Sequence, residues 1–233
     1  DGVRTVTLPA KHTAVKDAAV AATVFKAGKT EGSHCKVCGK VLRKQASVAK
    51  LKPTISLTAS SLKMKAGQST TEFKAAGLAK GDYVTIVTSG NTGIVKVSSV
   101  TKKGTFRLTA GKKAGSTTVK VILASKKSAS FKVTVQRGVV KTSKITVSTK
   151  SVTLKKGTTY RKLASSVKVT PVTSQEKVTY TSSNKKIVTV TSGGVIKGLK
   201  KGKKYYVKVR SYKTVNGKRI YGAYSTAQKA TIK

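Results

Sequence analysis

Along residues 51–233 apolar and polar positions alternate in short runs, and no stretch keeps the 3.6-residue spacing of a long amphipathic helix. Segments 54–58, 117–123, 130–135, 144–148 and 205–211 place an apolar or small residue at every second position and are rich in Val, Ile and Thr, which predicts half-buried strands. Gly67, Gly115, Gly157 and Gly202 read as turns between them. Asn216-Gly217 predicts a type I′ hairpin joining 212–215 to 218–221. The pattern also repeats. Ile55-Ser-Leu-Thr with Ser61-Leu-Lys-Met-Lys-Ala-Gly67 returns as Ile145-Thr-Val-Ser with Ser151-Val-Thr-Leu-Lys-Lys-Gly157 at a shift of 90 residues, and Ile94 to Val97 returns as Ile187 to Val190 at a shift of 93. A period of that size is one β-sandwich, so an all-β chain is expected, with two tandem sandwiches at 51–138 and 139–233 after a smaller module at 1–50.

The chain has 233 residues, with 49 Lys and Arg against 6 acids and a formal charge of +43. Such a surface cannot be organised by balanced ion pairs, yet the 38% hydrophobic content and the recurring β-branched residues separate it from a disordered basic tail. The longest apolar run, 18–25, is far shorter than the ~20 residues of a membrane span. The start at Asp1, without a basic and apolar leader, reads as a fragment or mature form.

Val178-Thr-Tyr-Thr-Ser-Ser-Asn184, Ile187 to Val190 and Gly194-Val-Ile-Lys-Gly-Leu-Lys-Lys-Gly202 resemble the group 2 bacterial immunoglobulin-like domain of surface proteins. The first copy keeps a looser version in Val84-Thr-Ile86, Ile94 to Val97 and Ala114 to Val121. Members of that family often carry Trp where this chain has Ile86 and Tyr180, so the resemblance implies a core aromatic lost in one copy and replaced in the other. Leu199 to Gly202 followed by Tyr205-Tyr-Val-Lys-Val209 resembles the tyrosine-corner stretch of fibronectin type III domains, and alternation turns Tyr205, Val207, Val209 and Ser211 inward. Residues 13–39, ending in His34-Cys-Lys-Val-Cys-Gly39, resemble a short cysteine-containing repeat of large secreted proteins of Gram-positive anaerobes. That repeat usually has a third Cys where this chain has Val24, which leaves a local Cys35–Cys38 pairing or two free thiols. Together the resemblances imply an extracellular or cell-wall-associated protein of a Gram-positive bacterium.

Candidate chemistry is sparse. His34, Cys35 and Cys38, with His12 in reserve, are the residue types of a structural zinc site, but no second tight ligand pair accompanies them. The spacing therefore favours a disulfide or reduced knuckle over zinc, and no other cofactor is expected. Asp1, Asp17, Glu31, Glu72, Asp82 and Glu176 stand singly, both histidines precede residue 35, and no Gly-x-Ser-x-Gly elbow occurs, which argues against hydrolase chemistry.

Residues 177–233 carry fifteen Lys or Arg and no acid. The outward positions Tyr206, Lys208, Arg210 and Tyr212 continue over the hairpin into Lys218, Arg219 and Tyr221, a stripe of cations beside aromatic faces suited to polyanions. The competing reading is a solvated basic face, favoured because Lys outnumbers Arg 42 to 7 and gives point charges without bidentate geometry. No helix-turn-helix, zinc finger or RNA-recognition signature points to sequence-specific nucleic-acid binding. The expected protein is a non-catalytic stalk or adhesion fragment whose partner is an anionic wall polymer, a host glycan or a host surface protein. An accessory module of a larger extracellular enzyme and an immunoglobulin-binding module are the alternatives.

Overall fold

The computed structural model describes residues 12–233, and its regular structure is almost entirely β. The N-terminal module holds β1 (Ala14–Asp17), β2 (Gly28–Lys29), β3 (Gly32–Cys35), β4 (Val41–Arg43) and β5 (Ser47–Val48). β1-β3-β4 form one sheet, and β2 pairs with β5. The module meets the following strands through the backbone, with Val24 N–H donating to Lys80 O at 3.0 Å and Leu51 N–H to Thr23 O at 3.0 Å.

Next come β6 (Ser56–Leu57), β7 (Ser61–Lys65), β8 (Ser69–Thr70), β9 (Ala75–Ala76), β10 (Val84–Ser89), β11 (Val95–Ser98), β12 (Arg107–Ala110), β13 (Gly115–Leu123) and β14 (Ser128–Gln136). The last group is β15 (Lys144–Val147), β16 (Ser151–Leu154), β17 (Thr159–Tyr160), β18 (Val167–Thr170), β19 (Lys177–Ser182), β20 (Val188–Val190), β21 (Ile196–Gly198), β22 (Gly202–Val215), β23 (Lys218–Tyr224) and β24 (Gln228–Ile232).

The sequence repeat is a repeat of topology. The sheet β10-β13-β14-β7 reappears as β19-β22-β24-β16, the sheet β11-β12-β8 as β20-β21-β17, and the pair β6-β9 as β15-β18. In both copies the early strand, β7 or β16, runs parallel to the last, β14 or β24. Among the described residues no sheet mixes strands of the two copies. Turn chemistry repeats as well: Asn91 O accepts from Ile94 and Val95 N–H ahead of β11, and Asn184 O accepts from Ile187 and Val188 N–H ahead of β20.

Each copy closes on its own apolar cluster. In the first, Phe73, Phe106 and Phe131 pack with Met64, Leu108 and the inward residues Val119, Val121 and Leu123 of β13. Phe73 and Phe131 stack with ring centroids 4.0 Å apart. The second cluster is smaller, built on Leu163, Val188, Ile196, Val207 and Ile232, with the half-buried Tyr160, Tyr180 and Tyr205 packed against it. Tyr180 thus occupies core as the resemblance implies, whereas Ile86 is 49% exposed. A register shift between Val84 and Ile86 turns Val84 and Val87 inward instead, and Phe131 of β14 with Phe73 and Phe106, which lie just before β9 and β12, supplies the first core's aromatic content. Two sequence expectations need correction here: Gly115 and Gly202 are not turns but the first residues of β13 and β22.

The two copies are joined by a hydrogen-bonded junction. The buried Thr173 donates its hydroxyl to Lys63 O of β7, and its own carbonyl accepts from Gln68 Nε2 at 2.9 Å and from Gln175 Nε2 at 2.6 Å. Gln175 Oε1 accepts from Val140 N–H at 2.7 Å, and Glu176 Oε2 accepts from Thr142 N–H at 3.0 Å. Burial raises the Glu176 carboxyl, but hydrogen bonds from Thr142 N–H and the Ser211 and Thr142 hydroxyls, with Lys213 nearby, outweigh it and hold the group below its usual 4.5. A depressed folded value contributes stability that is present above the unfolded value and lost as pH falls through the folded one. Glu176→Gln is therefore expected to cost about 1 kcal/mol in urea melts near pH 7. The deficit should shrink below about 4.5. A deficit unchanged by pH would contradict this role.

Candidate functional site: an acid-free outer face and a cysteine knuckle

β22 lies in the middle of its sheet, so its inward residues are fully covered: Val207 and Val209 at 0% exposure and Ser211 at 1%. The alternate residues necessarily point out. Tyr206 and Lys208 are exposed, and Arg210 and Tyr212 are half-buried on the same face. Thr181 and Thr179 of β19 stand opposite Lys208 and Arg210, and Lys229 of β24 stands opposite Tyr206. Beyond Tyr212, β22 leaves the sandwich as a ribbon paired only with β23, every residue of which is exposed. Asn216 and Gly217 form the turn with φ of +48° and +74°, the conformation a type I′ hairpin requires.

The ribbon brings tyrosines over the cations. The Arg210 guanidinium lies 3.6 Å from the Tyr221 ring centroid and 4.6 Å from that of Tyr224. Arg219 lies 4.6 Å over Tyr212, and Lys208 lies 5.7 Å over Tyr224. Contacts of this kind contribute about 0.5–1 kcal/mol each on a surface and hold the cationic groups in fixed orientations. Arg210 Nε is buried without a hydrogen-bond partner, so a fixed cation keeps unused donor capacity. Among the described residues the ion pairs are Lys16–Glu31 and Asp17–His34, each at 2.7 Å, and no carboxylate pairs with a cation of the outer face. Beside Lys208 the face dips into a shallow pocket lined by Thr181, Ser182, Ser183, Tyr206, Lys208 and Tyr224.

The structure thus gathers Tyr206, Lys208, Arg210, Tyr212 and Arg219 on one face but places Lys218 on the other. Lys218 stands opposite Val215 and Arg219 opposite Thr214, and neighbours in a strand point to opposite sides. Tyr224 was not among the expected residues. A register shift between Arg210 and Tyr212 sets it opposite Arg210, and the sequence signal for that shift is Gly222 within an otherwise strand-like run.

The cysteines sit at the end of β3. Cys35 is 3% exposed and Cys38 is exposed, and both are free thiols. Gly39 N–H donates to Cys35 O at 3.0 Å and Cys35 N–H to Lys40 O at 2.8 Å, which closes a tight turn. The backbone N–H of Cys38, then that of Val37, then the His12 ring lower the Cys35 thiol to about 6, against the opposing effect of burial. Ring and sulfur atoms of His12, Cys35 and Cys38 lie within 4.8 Å of one another. His34 does not join them, contrary to expectation: it is on the opposite side of β3 from Cys35, and its Nδ1 pairs with Asp17 Oδ1 at 2.7 Å.

Two of the remaining described acids, Asp82 and Glu176, also have structural partners. Asp82 Oδ2 accepts from the Ser125 hydroxyl at 2.6 Å, fastening the β13–β14 turn to the start of β10, and Glu176 holds the junction. Asp1 lies outside the described residues. No described helix is long and apolar enough to cross a membrane.

A comparison with curated proteins gives no match. Among solved structures, the chain is similar to the surface layer protein SbsC, domains 4–9, at 18% identity, over 89% of this chain and 35% of that one, with a TM-score of 0.38. It is also similar to Protocadherin Gamma C5 EC1-3 at 11% identity, over 88% of this chain and 76% of that one, with a TM-score of 0.34. The Protocadherin GammaB4 extracellular domain is similar at 11% identity, over 89% of this chain and 36% of that one, with a TM-score of 0.36. The chain thus spans about a third of the SbsC and GammaB4 structures. Residues 141–218, within the second sandwich, match the family described as bacterial Ig-like domain (group 2).

Proposed function

We propose that the chain is a non-catalytic segment of an extracellular, wall-associated bacterial protein, a stalk that also grips a polyanionic polymer through the outer face of its second sandwich. The carrying observation is the tyrosine-clamped row of Lys208, Arg210 and Arg219 on a face without acids. Orientation by the rings reduces the ordering cost of binding, and the missing carboxylates leave the cations available to phosphate or sulfate. The pocket at Tyr206 offers a ring face and hydroxyls to a sugar unit next to Lys208, which favours a phosphate- or sulfate-bearing glycan over a simple polyphosphate. The stalk role is supported by the family match and by the hydrogen-bonded junction, which ties the two sandwiches together through Thr173.

Binding to such a polymer is expected to weaken linearly in log–log form with salt as counterions are released. Any strongly basic protein does that, so substitution decides. Lys208→Gln with Arg210→Gln should lower affinity about tenfold or more, the equivalent of losing ~1.4 kcal/mol. Lys112→Gln with Lys113→Gln removes the same charge from the exposed turn before β13 and should change affinity less than about twofold, as should Lys218→Gln on the reverse of the ribbon. Equal losses at the three sites would mean that net charge alone binds.

A further inference from the structure

The N-terminal module is too small to be held by its core. Among its described residues the buried apolar side chains are Ala22, Val24 and Cys35, and modules with so little interior need a cross-link or a metal. We infer that a zinc-class divalent ion is that staple, bound by His12 Nδ1, Cys35 Sγ and Cys38 Sγ.

Two independent features of geometry support this. The first is the ligand spacing. With metal–sulfur distances of about 2.3 Å and metal–nitrogen distances of about 2.0 Å, a tetrahedral site separates S from N by about 3.5 Å and S from S by about 3.8 Å. Cys38 Sγ lies 3.5 Å from His12 Nδ1, and all three ligand atoms lie within 4.8 Å of one another. The second is the turn. Gly39 N–H closes on Cys35 O at 3.0 Å, Cys35 N–H closes on Lys40 O at 2.8 Å, and Gly39 at φ +71° lets the chain double back at once, which keeps both cysteines at one end of β3.

The site also assigns the two histidines different tasks. His12 reaches the sulfurs from the chain just before β1, while His34 secures β3 to β1 through Asp17. Among the described residues three protein ligands meet, and the cluster is exposed on the Cys38 side. Bound metal stabilises the folded module by its binding free energy, because the three ligands do not converge in an unfolded chain.

The test uses the whole chain, purified without chelator and probed with Co²⁺ and Zn²⁺ alone. One equivalent of Co²⁺ is expected to give a thiolate-to-cobalt charge-transfer band that Zn²⁺ bleaches. His12→Gln should weaken Co²⁺ binding at least about 100-fold, and Cys38→Ser should abolish the band. His34→Gln should leave affinity within about threefold. Circular dichroism of each variant checks that the β structure persists, so the His12 and His34 comparison stands even if Cys38→Ser perturbs the module. Absence of the band in the reduced protein, a Cys35–Cys38 disulfide in the native protein by thiol trapping, or equal losses from the two histidine variants would each overturn the assignment. None of these outcomes bears on polymer binding by the second sandwich.

Discussion

Phe131→Ala is expected to remove roughly 3–5 kcal/mol from the first sandwich and almost nothing from the second. The ring is 2% exposed and stacks on Phe73 at 4.0 Å, with Phe106 at 6.3 Å. Truncation leaves a cavity walled by two aromatic faces carried on the segments that lead into β9 and β12, and the neighbours cannot close it without moving backbone. The loss should appear in native-state hydrogen exchange as a lowered opening free energy for amides of β13 and β14. Amides of β22 and β24 belong to the other cluster and should keep their protection. Exchange that rises equally in both sheets would show that the two cores unfold as one unit.

The second large effect is expected from one backbone position. Gly104 is buried and has φ of +91°, and a Cβ there would lie 2.6 Å from Ala75 O, where Ala75 N–H also donates to Gly104 O at 2.9 Å. Gly104→Ala thus combines a conformation L-residues avoid with a collision against β9 backbone, and about 3 kcal/mol or more of destabilisation is expected. Gly67→Ala is the matched control: its φ is +75°, but nothing lies within 4 Å of the added methyl, so about 1 kcal/mol is expected from the backbone alone. Denaturant melts of the pair separate strain from collision, and equal losses would contradict the collision.

What was legible in the sequence was whatever depends on local pattern. Alternation in 117–123 and 130–135 maps onto β13 and β14 with the expected inward residues, and Asn216-Gly217 forms its hairpin. The misreadings arise where a partner strand decides. Gly115 looked like a turn, but its missing side chain makes room for Ile94 Cδ1, 2.7 Å from where a Cβ would sit. Ile86 looked inward until the register shift beside it moved Val87 into the core. Lys218 was grouped with Arg219 although neighbours in a strand cannot share a face. His34 adjoins the cysteine pair in sequence and His12 does not, yet antiparallel pairing of β1 with β3 brings the distant one to the sulfurs. The cation–tyrosine ladder follows the same rule. Its cations could be read one strand at a time, but Tyr224 enters only through a cross-strand register that no single run encodes.

The outer face is tested most directly by amide chemical-shift mapping while a sulfated or phosphate-bearing oligosaccharide is added to the intact chain. Binding at this face is expected to give saturable shifts concentrated at Thr181, Ser183, Tyr206, Lys208, Arg210 and Tyr224, with Lys112, Lys113 and Lys218 nearly still. Shifts spread evenly over the exposed lysines of both sandwiches, or centred away from β22, would contradict it.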